Sequence, residues 1–177
     1  MATNGLEILD KANQSVHIWL NDIADHIGPD KHCAYRTLHA VLRVIRDRLS
    51  VEQAVQLSSQ LPLFIKGMYF DQWHLVGKPE KFRTVEELCA RISAEMNGAR
   101  KVKPKLAAMA VMKAMSSHIS HGEITKIKGS MPAHIRALWD EAEKMEASEN
   151  GGKRRAPTAA AAAKDAAAPE REGLGLA

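Results

Sequence analysis

Two of the eight histidines in this chain have a spacing that could bind metal. His118 and His121 are three residues apart, as in a pair of imidazole ligands presented by one helix face. They flank Ser120, however, where one predicted helix ends and the next begins, so the chain changes direction between them. No second pair of ligands follows at a recognisable spacing. We therefore predict no metal site.

Catalytic motifs are absent from the sequence. It contains no GxSxG, phosphate-binding loop, GxGxxG or HExxH pattern. No pair of carboxylates stands apart from the charged faces of the predicted helices. We predict no catalytic residues and no cofactor, and we expect that the protein is not an enzyme.

A row of basic side chains, the helix-two stripe, recurs at intervals of 4, 3, 4 and 3 residues along one predicted helix face. Its members are His32, Arg36, His39, Arg43 and Arg46, and a second basic group is Lys153, Arg154 and Arg155. Both groups are candidates for contact with nucleic acid or another acidic partner. The alternative, which we favour, is a solvated helix face and a solvated linker.

An aromatic group at Tyr69, Phe70 and Trp73 is a local concentration in a chain with 5% aromatic residues. Aromatic side chains dominate interface energies, so this group is a candidate surface for a partner helix or peptide. The alternative is a structural plug between two packed units. We favour the plug, because Tyr69 has a counterpart elsewhere in the chain.

That counterpart belongs to an internal repeat. Val41–Tyr69 matches Val111–Trp139 at a constant offset of 70 residues without a gap. The identical pairs are Val41/Val111, Ser50/Ser120, Pro62/Pro132 and Ile65/Ile135, and Tyr69 pairs with Trp139. A match of this kind indicates one structural unit used twice.

The repeated unit has the pattern of helices. Apolar residues recur at spacings of three and four, which places them on one helix side; they are Leu38, Val41, Leu42, Ile45 and Leu49, and Ala108, Val111, Met112, Met115 and Ile119. Capping boxes are predicted at Ser50 with Gln53, Ser120 with Glu123 and Thr84 with Glu87. Pro62 and Pro132 are predicted to begin the helices that follow.

Composition and charge set further bounds. The chain has 177 residues, 45% of them hydrophobic and 26% charged, which is ordinary for a globular protein. The net charge is +4, but residues 151–177 hold five basic and three acidic residues, which leaves only +2 for the rest. No apolar run is long enough to span a membrane, and no secretory signal pattern opens the chain, so we expect a cytoplasmic protein. Cys33 and Cys89 are too few for a disulfide framework.

These patterns predict an all-α fold of about eight helices, in two related four-helix units that share a core, followed by a disordered C-terminal tail. The helical domain is predicted at 1–148, with units at about 6–70 and 84–147. Residues 149–177 are predicted to be a low-complexity, alanine-rich tail.

An ordered string of motifs resembles a known family. In the first half these are His32-Cys33-Ala34-Tyr35-Arg36-Thr37-Leu38, Val41-Leu42, Arg46-Asp47-Arg48-Leu49, Gln60-Leu61-Pro62, Gly67-Met68-Tyr69 and Trp73. In the second half they are His118-Ile119-Ser120, Gly122-Glu123, Met131-Pro132 and Leu138-Trp139. Together they resemble the bacterial domain-of-unknown-function family 2267 (DUF2267) over about residues 6–145. The resemblance implies a small all-helical bacterial cytoplasmic protein, and it implies no activity or ligand residues.

From these observations we predict a non-enzymatic helical interaction or scaffold protein whose partner is another protein. The alternative is a weak nucleic-acid-binding protein that uses the helix-two stripe and the basic tail. We expect no membrane partner, and the oligomeric state stays open.

Overall fold

The computed structural model describes residues 3–96 and 102–146, which form eight helices and no strand. The helices are α1 Thr3–Ile27, α2 Lys31–Arg48, α3 Val51–Ser58, α4 Leu63–Phe70, α5 Val85–Glu95, α6 Pro104–His118, α7 His121–Ser130 and α8 Ala133–Glu143. The predicted all-α class and the number of helices are confirmed. The predicted tail at 149–177 lies outside the described residues, and none of the described helices is long and apolar enough to cross a membrane.

Two of the three predicted capping boxes are present. The Ser50 hydroxyl accepts from the backbone N–H of Gln53 at 3.2 Å, and the Gln53 side chain accepts from the backbone N–H of Ser50. Thr84 and Glu87 make the same exchange at the start of α5. Both boxes satisfy backbone donors that the first helical turn leaves unpaired.

The predicted capping box at Ser120 is wrong. The Ser120 side chain makes no capping hydrogen bond. The side-chain oxygen of Gln60 accepts from the Ser120 backbone N–H at 3.1 Å and so takes the role predicted for Glu123. Glu123 is instead buried. A residue 60 positions away has thus replaced the local partner.

Pro62 and Pro132 were predicted to be the first residues of α4 and α8, but each lies one residue before its helix. Pro62 and Pro132 are the capping residues, with φ of −56° and −57°, and α4 and α8 begin at the next residue. The proline ring imposes this φ. The ψ of both prolines is 152°, which is not helical, so the helix begins only at the next residue.

The core is centred on α2 and α6. Ten residues of α2 and eight of α6 are buried. The two helices pack on each other, and α1 and α5 each pack on both of them. On the outside, α4 lies against α2 and α8 lies against α6. Met109, Met112 and Met115 are buried in α6 and belong to this core.

Packing within the two halves corresponds. The contacts α1–α2, α2–α4 and α1–α4 have the counterparts α5–α6, α6–α8 and α5–α8. Tyr69 and Trp139 are both fully buried, with their polar atoms bonded to Ala54 O at 3.0 Å and Ser116 Oγ at 2.9 Å. Two related units would pack in this way.

The start of α1 extends beyond the core. Leu6 and Leu9 are exposed, whereas Leu20 and Ile23, further along the same side of this helix, are buried. Helical periodicity places these residues on one side of α1 but does not determine how far the neighbouring helices reach along it.

The two serines at matched helix starts allow a direct test of capping. We expect Ser50→Ala to lower the free energy of unfolding by about 1 kcal/mol, because a backbone donor loses its acceptor. Ser120→Ala removes no side-chain capping bond and should change it by less than about 0.5 kcal/mol. Urea denaturation of both variants measures the difference. Equal losses would contradict the assignment of the caps.

Candidate functional site

The members of the helix-two stripe differ widely in exposure. His32 is exposed, Arg36, His39 and Arg43 are half-buried, and Arg46 is buried. Arg36 donates to the backbone carbonyl of Met96 at 3.3 Å, and Arg43 pairs with Glu95 at 3.1 Å. The stripe therefore contacts the end of α5 over part of its length.

Arg46 connects α2 to the end of α4. Its side chain is 1% exposed, and its guanidinium donates to the backbone carbonyls of Tyr69 and Asp71. It also pairs with Asp47 at 2.7 Å and lies over the Trp73 ring, 5.6 Å from the centroid. A buried guanidinium needs such a set of acceptors to offset its lost hydration. The structure therefore brings together the two groups of residues that the sequence suggested separately.

His39 lies beside this cluster. Its Nε2 is 3.7 Å from Asp71 Oδ2, and its ring stacks on Tyr35. Burial and the nearby Arg43 guanidinium lower the pKa of His39 below its ordinary value. The imidazole is therefore neutral at neutral pH, and it adds little positive charge to this surface.

The three predicted aromatic residues have different positions. Tyr69 is fully buried, burial raises the pKa of its hydroxyl, and it cannot contact a partner. Phe70 and Trp73 are half-buried, with ring centroids 5.4 Å apart. Only these two remain available for a partner surface.

The connection after Trp73 is held against the bundle by an ion-pair network. Lys78 pairs with Asp47 at 2.6 Å and with Glu80 at 2.5 Å, and Glu80 also pairs with Arg91 of α5. The Glu80 backbone N–H donates to the Asp47 carbonyl at 2.7 Å. These contacts fix the segment that follows α4.

Two exposed residues of α4 were missed by the sequence analysis. Leu63 is 59% exposed and Phe64 is 44% exposed. The helical angles of positions 63, 64, 67 and 70 place them along one side of α4. We call Leu63, Phe64, Phe70 and Trp73 the α4 face; large apolar groups on a surface often mark an interaction site.

The matched positions of α8 show that this composition is not required by the fold. At an offset of 70 residues, α8 has Ala133, His134 and Asp140 where α4 has Leu63, Phe64 and Phe70, and all three are exposed. The outer surface of α8 thus follows the usual preference for polar or small residues, whereas α4 does not. This contrast was the sequence signal that could have revealed the α4 face.

Gly67 lies within the same side of α4, and a β-carbon there would meet nothing within 4 Å. A glycine inside a helix costs about 0.5–1 kcal/mol relative to alanine. The matched residue of α8 is Ala137. The fold of this chain therefore gives no steric reason for the glycine.

The remaining predicted residues do not extend this site. His118 Nε2 lies 2.6 Å from Asp22 Oδ2, and its ring stacks on Trp19. Among residues 3–96 and 102–146, no group of three metal-binding side chains comes together. Lys153, Arg154 and Arg155 lie outside the described residues.

Replacing Arg46 tests its structural role. We expect Arg46→Met to lower the free energy of unfolding by about 3 kcal/mol or more, because Asp47 and two carbonyls lose their buried donor. Arg136→Met changes an exposed residue and should cost less than about 0.5 kcal/mol. Urea denaturation compares the two. A small effect at Arg46 would show that solvent can replace its contacts.

Acidification should destabilise the protein in part through His39. The pKa of His39 is lower in the folded state than its ordinary value of 6.5. As the pH falls below 6.5, the unfolded chain therefore binds more protons at His39 than the folded protein does. Stability present at neutral pH is then lost. His39→Gln should reduce the loss of unfolding free energy between about pH 7.5 and 5.5. An unchanged dependence would assign the effect to other groups, such as His26, whose pKa is also lowered, mainly by burial.

Comparison with known families places these features in context. Residues 16–138 match the family described as "Uncharacterized conserved protein (DUF2267)". The match includes all of α2–α7 and therefore the whole α4 face. A comparison with curated proteins finds no match. Since the matched span is more than half of the chain, the protein belongs to the DUF2267 family.

Proposed function

We propose that this chain is a non-enzymatic, cytoplasmic interaction protein that binds another protein through the α4 face. The observation that carries the proposal is the contrast between α4 and α8. At matched positions, α4 has Phe64, which is exposed, and Phe70, which is half-buried, where α8 has the exposed His134 and Asp140. Burying exposed apolar side chains against a partner would release free energy of about 25 cal/mol per Å².

The partner that fits this surface is an amphipathic helix with an acidic residue beside its apolar side. The α4 face is formed along a helix, and helices pack by inserting the side chains of one between those of the other. Gly67 would let the partner helix approach closely. Lys66, half-buried beside the face, forms no ion pair within the described residues and is available to a carboxylate.

The contacts beneath the face support the proposal. Arg46 and the Asp47–Lys78–Glu80 network fix the end of α4 and the segment after it. A surface whose shape is fixed before binding loses less conformational entropy when a partner docks. The cytoplasmic location in this proposal rests on the family resemblance.

Weak nucleic-acid binding is the alternative function. It would use the helix-two stripe and the basic tail, and its affinity would fall steeply with salt. Within the stripe, Arg46 is buried, and Arg43 is paired with Glu95. We therefore favour protein binding. Titration with duplex and single strands at low ionic strength separates the two functions.

Gly67→Ala should have opposite effects on stability and binding. We expect it to raise the free energy of unfolding by up to about 1 kcal/mol, because alanine is the better helix former and its β-carbon has space. The same methyl group should weaken partner binding by holding the partner helix away. The matched Ala137→Gly should lower stability and leave binding unchanged.

Binding is measured by placing a photo-crosslinking residue at Phe64 or at His134 in cells of the native host. We expect position 64 to crosslink to apolar residues of a helix in one protein, and Phe70→Asp or Gly67→Ala to reduce the yield. Position 134 should give no such product. Equal products at both positions, or none at 64, would overturn the proposal. Crosslinks to a second copy of the chain would replace the proposed partner with self-association.

A further inference from the structure

Two adjoining cavities lie between α6, α7 and α8, on the other half of the protein from the α4 face. Their volumes are about 250 and 310 Å³, and they share His121, Ile124 and Glu143. The first cavity also has Lys113 in its lining, and the second has Lys128 and Arg136. We call the two together the α6–α8 groove.

The groove already holds one anionic group, the carboxylate of Glu143. Ser116 Oγ donates to Glu143 Oε1 at 2.9 Å, and Lys128 Nζ donates to Oε2 at 3.1 Å. Lys113 Nζ donates to the Glu143 backbone carbonyl. The donors from α6 and α7 thus hold the carboxylate of a residue from the last turn of α8. Charge-assisted hydrogen bonds of this kind are the ones an oxyanion uses.

Positive charge in the groove exceeds negative charge. The lining has three cations, Lys113, Lys128 and Arg136, and one carboxylate, Glu143. Asp140 pairs with Lys128 at 2.5 Å from the exposed rim, so the lysine, arginine and carboxylate side chains leave a surplus of one positive charge. Among the described residues, Arg136 and His121 form no side-chain hydrogen bond or ion pair. The Arg136 guanidinium is therefore available to form hydrogen bonds with a ligand.

We propose that the α6–α8 groove binds the phosphate group of a small molecule beside Glu143. A phosphate group carries about −1.5 to −2 charges at neutral pH and three acceptor oxygens, so it can accept hydrogen bonds from the fork of Arg136 N–H donors that line the groove. A carboxylate ligand would offer only two oxygens and one negative charge, and the carboxylate of Glu143 already lies in the groove. Glu143 opposes the ligand by its charge and by occupying Ser116 and Lys128.

The test is calorimetric titration of the full chain with inorganic phosphate at low ionic strength. We expect saturable binding that weakens roughly tenfold or more in Arg136→Ala, as for the loss of a hydrogen bond between charged groups. Arg136 is exposed and forms no side-chain hydrogen bond or ion pair within the described residues, so this variant should fold normally. Glu143→Gln keeps the acceptor for Ser116 and removes the charge, and it should strengthen binding.

Lys105→Ala is the matched control. Lys105 is a cation of α6 that pairs with Glu141 and does not line the groove, so its loss should leave phosphate binding unchanged. No saturable binding, or equal weakening in Lys105→Ala and Arg136→Ala, would overturn the proposal. Acetate binding as tightly as phosphate would overturn the assignment to phosphate. Glycerol phosphate should bind like inorganic phosphate, whereas binding by a short duplex alone would overturn the small-molecule assignment.

Discussion

Packing of α2 against α6 is the contact on which the rest of the structure depends. Each helix buries residues around most of its circumference, which requires neighbours on several sides. α1 and α5 provide these neighbours by packing on both central helices, and α4 and α8 cover the outer sides. Each of these outer helices packs one side on a central helix and turns the other side to solvent.

The solvent-facing residues of α4 and α8 differ, although their buried residues are similar. Tyr69 and Trp139 serve the same purpose inside, since both are fully buried with their polar atoms bonded. Outside, α4 exposes Leu63 and Phe64, whereas the outer side of α8 carries His134 and Asp140. One half thus presents an apolar helix surface, and the other presents a polar groove with surplus positive charge. Residues at exposed positions can be suited to binding because they do not contribute to core packing.

Arg46 shows how the core and the surface are linked. A buried guanidinium is costly unless its donors are satisfied, and here the acceptors are Asp47 and the backbone at the end of α4. The residue therefore fixes the position of Trp73 and of the segment that follows. Its charge, which in the sequence suggested contact with an anionic partner, is used inside the protein.

The sequence by itself determined the features that depend on near neighbours in the chain. Helix positions followed from apolar spacing, and the caps at Ser50 and Thr84 formed as predicted, because their partners are three residues away. Tertiary structure decided the rest. Ser120 has the same local pattern, but Gln60 binds its backbone N–H. Arg46 shares a helix face with His32, yet Arg46 is buried in contact with the end of α4, whereas His32 is exposed. Spacing along a helix defines which residues share a side, and only the packing of other helices determines which of them meet water.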